Sequence, residues 1–158
     1  MKRRIYTDTS VIGGCLDDAF EESSRQLFNR QLFNRFLRGE DVIIISDLTL
    51  LELEGAPAEV QDVLEDVPPA HREEVEFTEE ASRLADQYLR AGVVGTSSRL
   101  DAQHLATATV HRVDVLVSWN FKHVVNLDRI RGYNSVNMRK GYPMLEIRSP
   151  QEVPPYDG

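Results

Sequence analysis

Apolar runs without polar alternation recur along the chain, at residues 5–7, 42–46 and 115–118. They are rich in Ile and Val, which favour strands. A strand that lacks alternation suits a sheet covered on both faces, as parallel sheets are. The pattern therefore predicts a buried parallel sheet.

Helical periodicity is clearest between residues 78 and 91. Thr78 is suited to cap the helix, two glutamates follow at its positive end, and Gly92 stops it. One face is apolar: Ala81, Leu84, Ala85, Tyr88 and Leu89. Short strands are predicted at residues 74–77 and 144–147. Because strands and helices alternate, we expect an α/β sandwich.

The chain has 158 residues, the length of one domain. We assign residues 1–150 to that domain and residues 151–158 to an extended tail. No apolar run reaches the roughly 18 residues that span a bilayer. Residues 2–4 are basic and lead directly into the first strand, without the apolar stretch of a signal peptide. These features predict a cytoplasmic protein with no membrane contact. The one cysteine, Cys15, excludes an intramolecular disulfide and is expected to be a buried, inert thiol.

The sequence Gln-Leu-Phe-Asn-Arg occurs twice in succession, at residues 26–30 and 31–35. Five residues turn a helix by about 500°, so the copies lie about 140° out of phase. Phe28, Leu32 and Phe36 still align on one face, within an unusually wide apolar stripe. The surplus apolar surface indicates a partner contact or a local bulge. We expect this segment to be dispensable for the fold and to matter for assembly.

Charge is distributed unevenly around a formal net charge of −8. Residues 1–98 carry 20 acidic and 10 basic side chains (net −10), whereas residues 99–148 carry four acidic and eight basic ones (net +4). A basic segment is the footprint expected of a nucleic-acid binder, although solvated surface charges give the same count.

Three acidic residues stand near the ends of predicted elements: Asp8, Glu52 and Asp101. Ligands of open α/β sheets bind beyond the carboxyl ends of the strands, where Asp8 lies. Structural roles are also open to them. Asp8 or its neighbours can cap a helix that starts near Val11, Asp101 can cap a helix over residues 102–112, and Glu52 can be a solvated charge. Glu54 points elsewhere on the helix of Glu52.

Carboxylates that converge on one point repel one another unless a cation is present. Mg²⁺ and Mn²⁺ bind a few carboxylates, keep several waters and promote attack on phosphoryl groups. Phosphodiester hydrolysis is therefore the reaction that these residues favour. A zinc site of His104, His111 and His123 is the competing interpretation, but the first two are roughly 10 Å apart along a helix.

Four segments together resemble the PIN domain family: residues 6–10, 46–52, 100–102 and 115–123. The similarity extends over about residues 3–150, and each segment is weak by itself. PIN domains are metal-dependent ribonucleases, and the VapC-type toxins are well-known small members. The resemblance implies a three-layer α/β/α sandwich with a central, mainly parallel sheet. It also implies an acidic pocket for Mg²⁺ or Mn²⁺ and hydrolysis of single-stranded RNA.

The resemblance also implies roles for individual residues. Asp8, Glu52 and Asp101 match the metal ligands and catalytic acids, and Asn120 falls at the fourth catalytic position, often Asp in the family. As a neutral residue, Asn120 is expected to bind through water or to hold a phosphate. Thr9 and Ser118 are expected to help bind substrate.

We expect RNA to reach the pocket along the basic segment, with Arg99, Lys122 and Arg129 as phosphate contacts. A homodimer and an antitoxin protein are the expected partners. A PIN-like binding module without catalysis is the alternative, for which Asn120 and the net charge argue. A phosphomonoester hydrolase would need a second Asp where this chain has Ser10.

Overall fold

The computed structural model describes residues 2–14 and 23–153. The strands within these ranges are β1 (Arg3–Thr7), β2 (Asp41–Ser46), β3 (Arg72–Val75), β4 (Val115–Val117) and β5 (Glu146–Arg148). The α-helices are α1 (Thr9–Gly14), α2 (Ser23–Arg38), α3 (Asp47–Glu54), α4 (Ala58–Glu65), α5 (Glu79–Arg90), α6 (Arg99–Val110) and α7 (Leu127–Arg139).

The strands of the described residues form one sheet in the order β3-β2-β1-β4-β5, and every neighbouring pair is parallel. The predicted parallel sheet is thus confirmed. The chain moves outward from β1 through β2 to β3 and then crosses to β4 on the other side. The strand order therefore reverses between β1 and β4, which is where α/β sheets bind their ligands.

Successive side chains of the central strands enter opposite layers. Ile5, Val115 and Val117 pack in one apolar core with α1, α2, α3 and α4. Tyr6 and Leu116 pack in the other with α5, α6 and α7. Because alternate residues point to opposite faces of a strand, a continuous apolar run fills both cores. The fold is the predicted three-layer α/β/α sandwich.

The two edge strands lie away from their predicted positions. β3 begins at Arg72 because that residue pairs with Ile43 of β2. It ends before Phe77, whose backbone N–H donates instead to Oδ1 of Asp47 at 2.9 Å. β5 begins at Glu146, opposite Val115, two residues later than predicted. The neighbouring strand sets these limits.

Helix α5 agrees with its prediction. Oγ1 of Thr78 accepts from the N–H of Ala81 at 3.2 Å, and Gly92 takes a φ of +72° just after the helix, a conformation that glycine adopts without strain. Helix α6 begins at Arg99 rather than at residue 102. Asp101 therefore lies inside the first turn and is not the capping residue.

The repeated segment forms one uninterrupted helix, and its two copies lie in different environments. Leu27 of the first copy is 52% exposed, whereas its counterpart Leu32 is 1% exposed and lies in the core with Phe33. The buried Asn29 accepts from Nε1 of Trp119 at 2.8 Å. In the second copy, Arg35 pairs with the buried Asp41 at 3.0 Å. Since both copies contribute buried contacts, the structure argues against the expectation that the segment is dispensable for the fold.

Packing continues past the predicted start of the tail at residue 151. Pro150–Glu152 forms a 3₁₀ turn beside α2, and Val153 is buried. Cys15 and residues 154–158 lie outside the described residues, so the predictions for that thiol and for the end of the tail remain predictions. Across the described ranges, every helix is too short or too polar to cross a bilayer.

Candidate active site

Asp8 lies at the point where the strand order reverses, between the end of β1 and the start of α1. Its Oδ1 accepts from the N–H of Thr9 at 2.9 Å. Its Oδ2 accepts from Oγ of Ser10 and from Oγ of Ser118, each at 2.8 Å. The carboxylate thus joins the carboxyl ends of β1 and β4.

The hydroxyls around Asp8 connect it to the loop after β4. Oγ of Ser10 also accepts from the N–H of Trp119 at 3.1 Å, and Oγ of Ser118 accepts from the N–H of Asn120 at 3.0 Å. Oγ1 of Thr9 is buried and has no hydrogen-bond partner in the described part of the chain. Ser118 therefore supports Asp8. Sequence reasoning did not assign this supporting role to Ser10.

A chain of buried side chains holds Glu52. Oε1 of Glu52 lies 2.5 Å from Nε2 of His104, and Nδ1 of that ring lies 2.6 Å from the hydroxyl of Tyr6. The Tyr6 hydroxyl lies 2.7 Å from Oγ of Ser46, which accepts from the N–H of Thr49 at 3.4 Å. The chain runs from the core to the site through four elements, β2, β1, α6 and α3, and ends on a carboxylate.

A single direction of donation satisfies this whole chain. Burial raises the pKa of Tyr6 far above its usual value, so the phenol keeps its proton. With a neutral imidazole, Ser46 donates to Tyr6, Tyr6 donates to Nδ1 of His104, and Nε2–H donates to Glu52. Ser46, Tyr6 and His104 each donate once and accept once, and the Glu52 carboxylate accepts the last proton, which is how buried polar groups avoid a desolvation penalty.

Glu52 and Glu54 have different surroundings, as the helical spacing predicts. Glu52 is half-buried, whereas Glu54 is exposed beside a separate cavity of about 360 Å³ on the α4 side. Glu54 is thus a suitable internal control for Glu52.

Asp101 is half-buried in the first turn of α6, and its neighbours on that face, Leu105 and Ala108, are buried. Burial raises the pKa of the Asp101 carboxyl, the charge of Asp8 raises it further, and Glu52 adds to this rise. The nearby His123 and His104 act in the opposite direction. The three acids therefore share one electrostatic environment.

Asn120 uses its side chain to shape the loop after β4. Its Oδ1 accepts from the N–H groups of Lys122 at 3.2 Å and His123 at 2.9 Å. Its Nδ2 lies 3.5 Å from Oδ1 of Asp101. An Asp in this position would present no N–H to Asp101. The amide thus directs a donor at Asp101, while its oxygen is occupied by the backbone.

The carboxylates are near one another without forming a closed cage. Within residues 2–14 and 23–153, no three His, Cys, Asp or Glu side chains are arranged to ligate one ion. A Mg²⁺ site does not require three, because this ion is commonly bound through one or two carboxylates and several waters. Burial is the largest cause of the raised pKa of Asp101, and the charges of Asp8 and Glu52 add a repulsion that a cation would relieve. The donor set therefore fits a hydrated Mg²⁺ or Mn²⁺ ion.

The three predicted phosphate contacts differ in their surroundings. Nη1 of Arg99 lies 2.8 Å from Oδ1 of Asp86 on α5, and Nη1 of Arg129 donates to the carbonyl of Val93. Lys122 is exposed, and no ion pair engages its ammonium in the described structure. Of the three, Lys122 is the most available to a phosphate.

The proposed zinc ligands are separated. His104 is bonded to Glu52 and Tyr6, and His111 lies at the other end of α6, where its Nε2 lies 2.8 Å from the carbonyl of Glu76. Nδ1 of His123 is buried without a hydrogen-bond partner among the described residues. The zinc interpretation has no geometric support here.

The Asp101–His104 spacing of three residues, which places both on one helix face, could have indicated that His104 belongs to the acidic site.

The sequence matches no family model and no curated protein. Solved structures do share the fold. One is VapBC2 from Rickettsia felis bound to a DNA fragment from their promoter, with a TM-score of 0.53 and 16% identity over 92% of this chain and 98% of that chain. Another is DNA-bound VapBC from Salmonella typhimurium, with a TM-score of 0.50 and 20% identity over 95% of this chain and 99% of that chain. At these identities the likeness establishes the fold alone, which is that of a VapC-like PIN domain.

Proposed function

We propose that this protein is a metal-dependent endoribonuclease that hydrolyses phosphodiester bonds of single-stranded RNA. The observation that carries the proposal is the position of Asp8, Glu52 and Asp101. They come from three separate segments and share one electrostatic environment, and Asp8 lies at the reversal of strand order. Like charges are costly to gather without a cation, so the arrangement favours a metal site.

Asp8 and Asp101 are the carboxylates that would hold the ion, with Glu52 contributing through the oxygen that His104 leaves open. The bound Mg²⁺ or Mn²⁺ would polarise a phosphoryl oxygen and supply hydroxide. Ser10 and Ser118 keep the Asp8 carboxylate oriented, and Asn120 directs its amide at Asp101. Thr9, whose buried Oγ1 has no hydrogen-bond partner among the described residues, and Lys122 are the groups that we assign to substrate.

We also propose that the protein is the toxin of a toxin–antitoxin pair, with an antitoxin protein and a second copy of itself as partners in the cytoplasm. Support comes from the similar structures, which are VapBC assemblies bound to DNA. The proposed nuclease is one domain over residues 1–150. Co-expression with the product of an adjacent small reading frame tests the pairing, because a cognate antitoxin should co-purify and suppress RNA cleavage.

Substitution of the acids tests the enzymatic proposal. Asp8→Asn and Asp101→Asn should nearly abolish Mn²⁺-dependent cleavage of single-stranded RNA. Glu54→Gln should cleave like the parent, because Glu54 is exposed on another face of α3. Robust cleavage by Asp101→Asn would overturn the mechanism.

A binding module without catalysis is the second candidate. Two observations favour it: the described residues form no closed metal cage, and the oxygen of Asn120 is engaged by backbone N–H groups. Such a module would bind RNA in the presence of Mn²⁺ and leave it intact. Intact RNA after incubation with the parent, together with measurable binding, would favour this candidate.

A further inference from the structure

An aromatic side chain is exposed next to the acidic site. Phe121 follows Asn120, whose side chain faces Asp101. Phe121 itself is 43% exposed. Exposed single apolar residues are common and need no explanation by themselves. Phe121 differs because hydrogen bonds hold its backbone in place and because positively charged side chains lie beside it.

Two asparagine side chains fix the backbone on both sides of Phe121. Oδ1 of Asn120 accepts from the N–H groups of Lys122 and His123. Nδ2 of Asn126 donates to the carbonyls of Phe121 at 3.0 Å and Lys122 at 2.7 Å. Four hydrogen bonds thus hold a short loop in which the aromatic ring remains accessible. The backbone that carries the ring therefore needs little ordering when a ligand binds, which preserves affinity.

Trp119 and Arg25 both lie close to the Phe121 ring. Trp119 packs edge-to-face with Phe121 at a centroid distance of 6.1 Å, and its own indole is held by Asn29. The guanidinium carbon of Arg25 lies 4.9 Å from the Trp119 ring centroid and 5.6 Å from that of Phe121. An aromatic surface next to cationic groups is how proteins bind single-stranded nucleic acid without reading its sequence.

We propose that Phe121 is the stacking surface for a nucleobase of single-stranded RNA that lies beside the acidic site. The inference rests on the proposed nuclease function and specifies how its substrate is held. The base stacks on the exposed part of the ring, and the adjacent Lys122 neutralises a flanking phosphate. Since every base has a π-face, binding is tolerant of sequence and requires an unpaired nucleotide.

Binding measurements in a cleavage-deficient background test the proposal without depending on turnover. In Asp101→Asn protein, Phe121→Ala and Phe121→Leu should each weaken binding of a short single-stranded RNA by roughly 5- to 150-fold, the range typical of one stacked base. Phe121→Tyr should retain the parent affinity. Met144→Ala, at an exposed residue before the amino end of β5, should have no effect, because Phe121 follows the carboxyl end of the parallel neighbour β4.

A second test uses a set of RNAs, each of which carries one abasic nucleotide at a different position. At one position it should weaken binding to the Phe121 protein and leave binding to Phe121→Leu unchanged, because the same stacking contact is already lost. Equal affinities of the Phe121 and Phe121→Leu proteins for intact RNA would overturn the proposal and favour a protein-contact role for the ring. If the parent cleaves RNA in that case, the nuclease proposal is retained and only the stacking role of Phe121 is rejected. If the parent neither binds nor cleaves RNA, both proposals fail.

Discussion

Nε2 of His104 lies 2.5 Å from Oε1 of Glu52, and this contact joins helices α3 and α6 across the candidate site. The imidazole is buried, and its other nitrogen meets the Tyr6 hydroxyl on β1 at 2.6 Å. The position of the Glu52 carboxylate is thus determined by a residue three places after Asp101. The geometry makes His104 a positioning residue for the acidic site.

Replacement of His104 by Ala should lower the free energy of unfolding by about 1–3 kcal/mol, because it leaves the buried Tyr6 hydroxyl without one partner. It should also reduce the Mn²⁺-dependent rise in melting temperature, since Glu52 loses its orientation. Urea unfolding and melting with and without Mn²⁺ measure both effects. His111→Ala, at the other end of α6, is the control and should retain the Mn²⁺ response. An unchanged response in His104→Ala would contradict the positioning role.

Asp101→Asn should leave the metal-free protein at least as stable as the parent. Burial and the neighbouring Asp8 both raise the pKa of Asp101, so its ionised form disfavours the folded state at neutral pH. Added Mn²⁺ should raise the melting temperature of the parent and of Glu54→Gln but not of Asp101→Asn, because a ligand that binds only the folded state stabilises it by mass action. Equal stabilisation of the parent, Glu54→Gln and Asp101→Asn by Mn²⁺ would exclude a metal site that Asp101 shares.

Deletion of residues 31–35 should destabilise the protein. The two copies are identical, so deletion of either one leaves the same sequence. The remaining copy can supply the buried Leu32 and Arg35 contacts or the Asn29–Trp119 hydrogen bond, but not both. Leu32→Ala should lower the free energy of unfolding by about 2–5 kcal/mol. Leu27→Ala, the same change at the exposed leucine of the first copy, should lower it by less than about 0.5 kcal/mol.

Urea unfolding compares these variants, and light scattering follows the association state of the deletion protein. A deletion protein as stable as the parent but with an altered association state would restore the interpretation of the repeat as an assembly surface.

Asp41 should be critical for stability because it is fully buried and pairs with two arginines. Its carboxylate lies 3.0 Å from the guanidinium groups of both Arg3 and Arg35. Asp41→Asn should cost about 3–5 kcal/mol of unfolding free energy, since it leaves largely buried cations uncompensated. Glu40→Gln removes an exposed ion pair with Arg38 and should cost less than about 1 kcal/mol. Similar unfolding midpoints for the two variants would contradict this assignment.

Lys122→Ala with Arg129→Ala should weaken RNA binding and reduce its salt dependence. Each lost phosphate contact lowers the slope of log K against log salt by roughly 0.7 for single strands. Lys122→Ala alone should account for most of the change, because Arg129 already donates to the carbonyl of Val93. Arg38→Ala, before the amino end of β2, serves as the charge-matched control for Lys122→Ala alone. An unchanged slope in the double variant would exclude this path for RNA.

The sequence by itself determined the central sheet and the surest helix. Residues 5–7, 42–46 and 115–118 are apolar on both faces of a strand, so only a doubly covered parallel sheet buries them. Thr78 and Gly92 delimit α5 through local capping and a positive φ, which depend on few neighbours. The order of motifs around Asp8, Glu52 and Asp101 likewise indicated a VapC-like PIN fold.

Only the tertiary structure decided the limits of β3, the environments of the two repeat copies and the partners of Glu52 and Asn120. Identical copies at residues 26–30 and 31–35 have identical local propensities, yet five residues of helix rotate one toward the core and the other partly toward solvent. The Glu52–His104 contact joins residues 52 positions apart. Such contacts arise from the packing of distant segments, which no local pattern encodes.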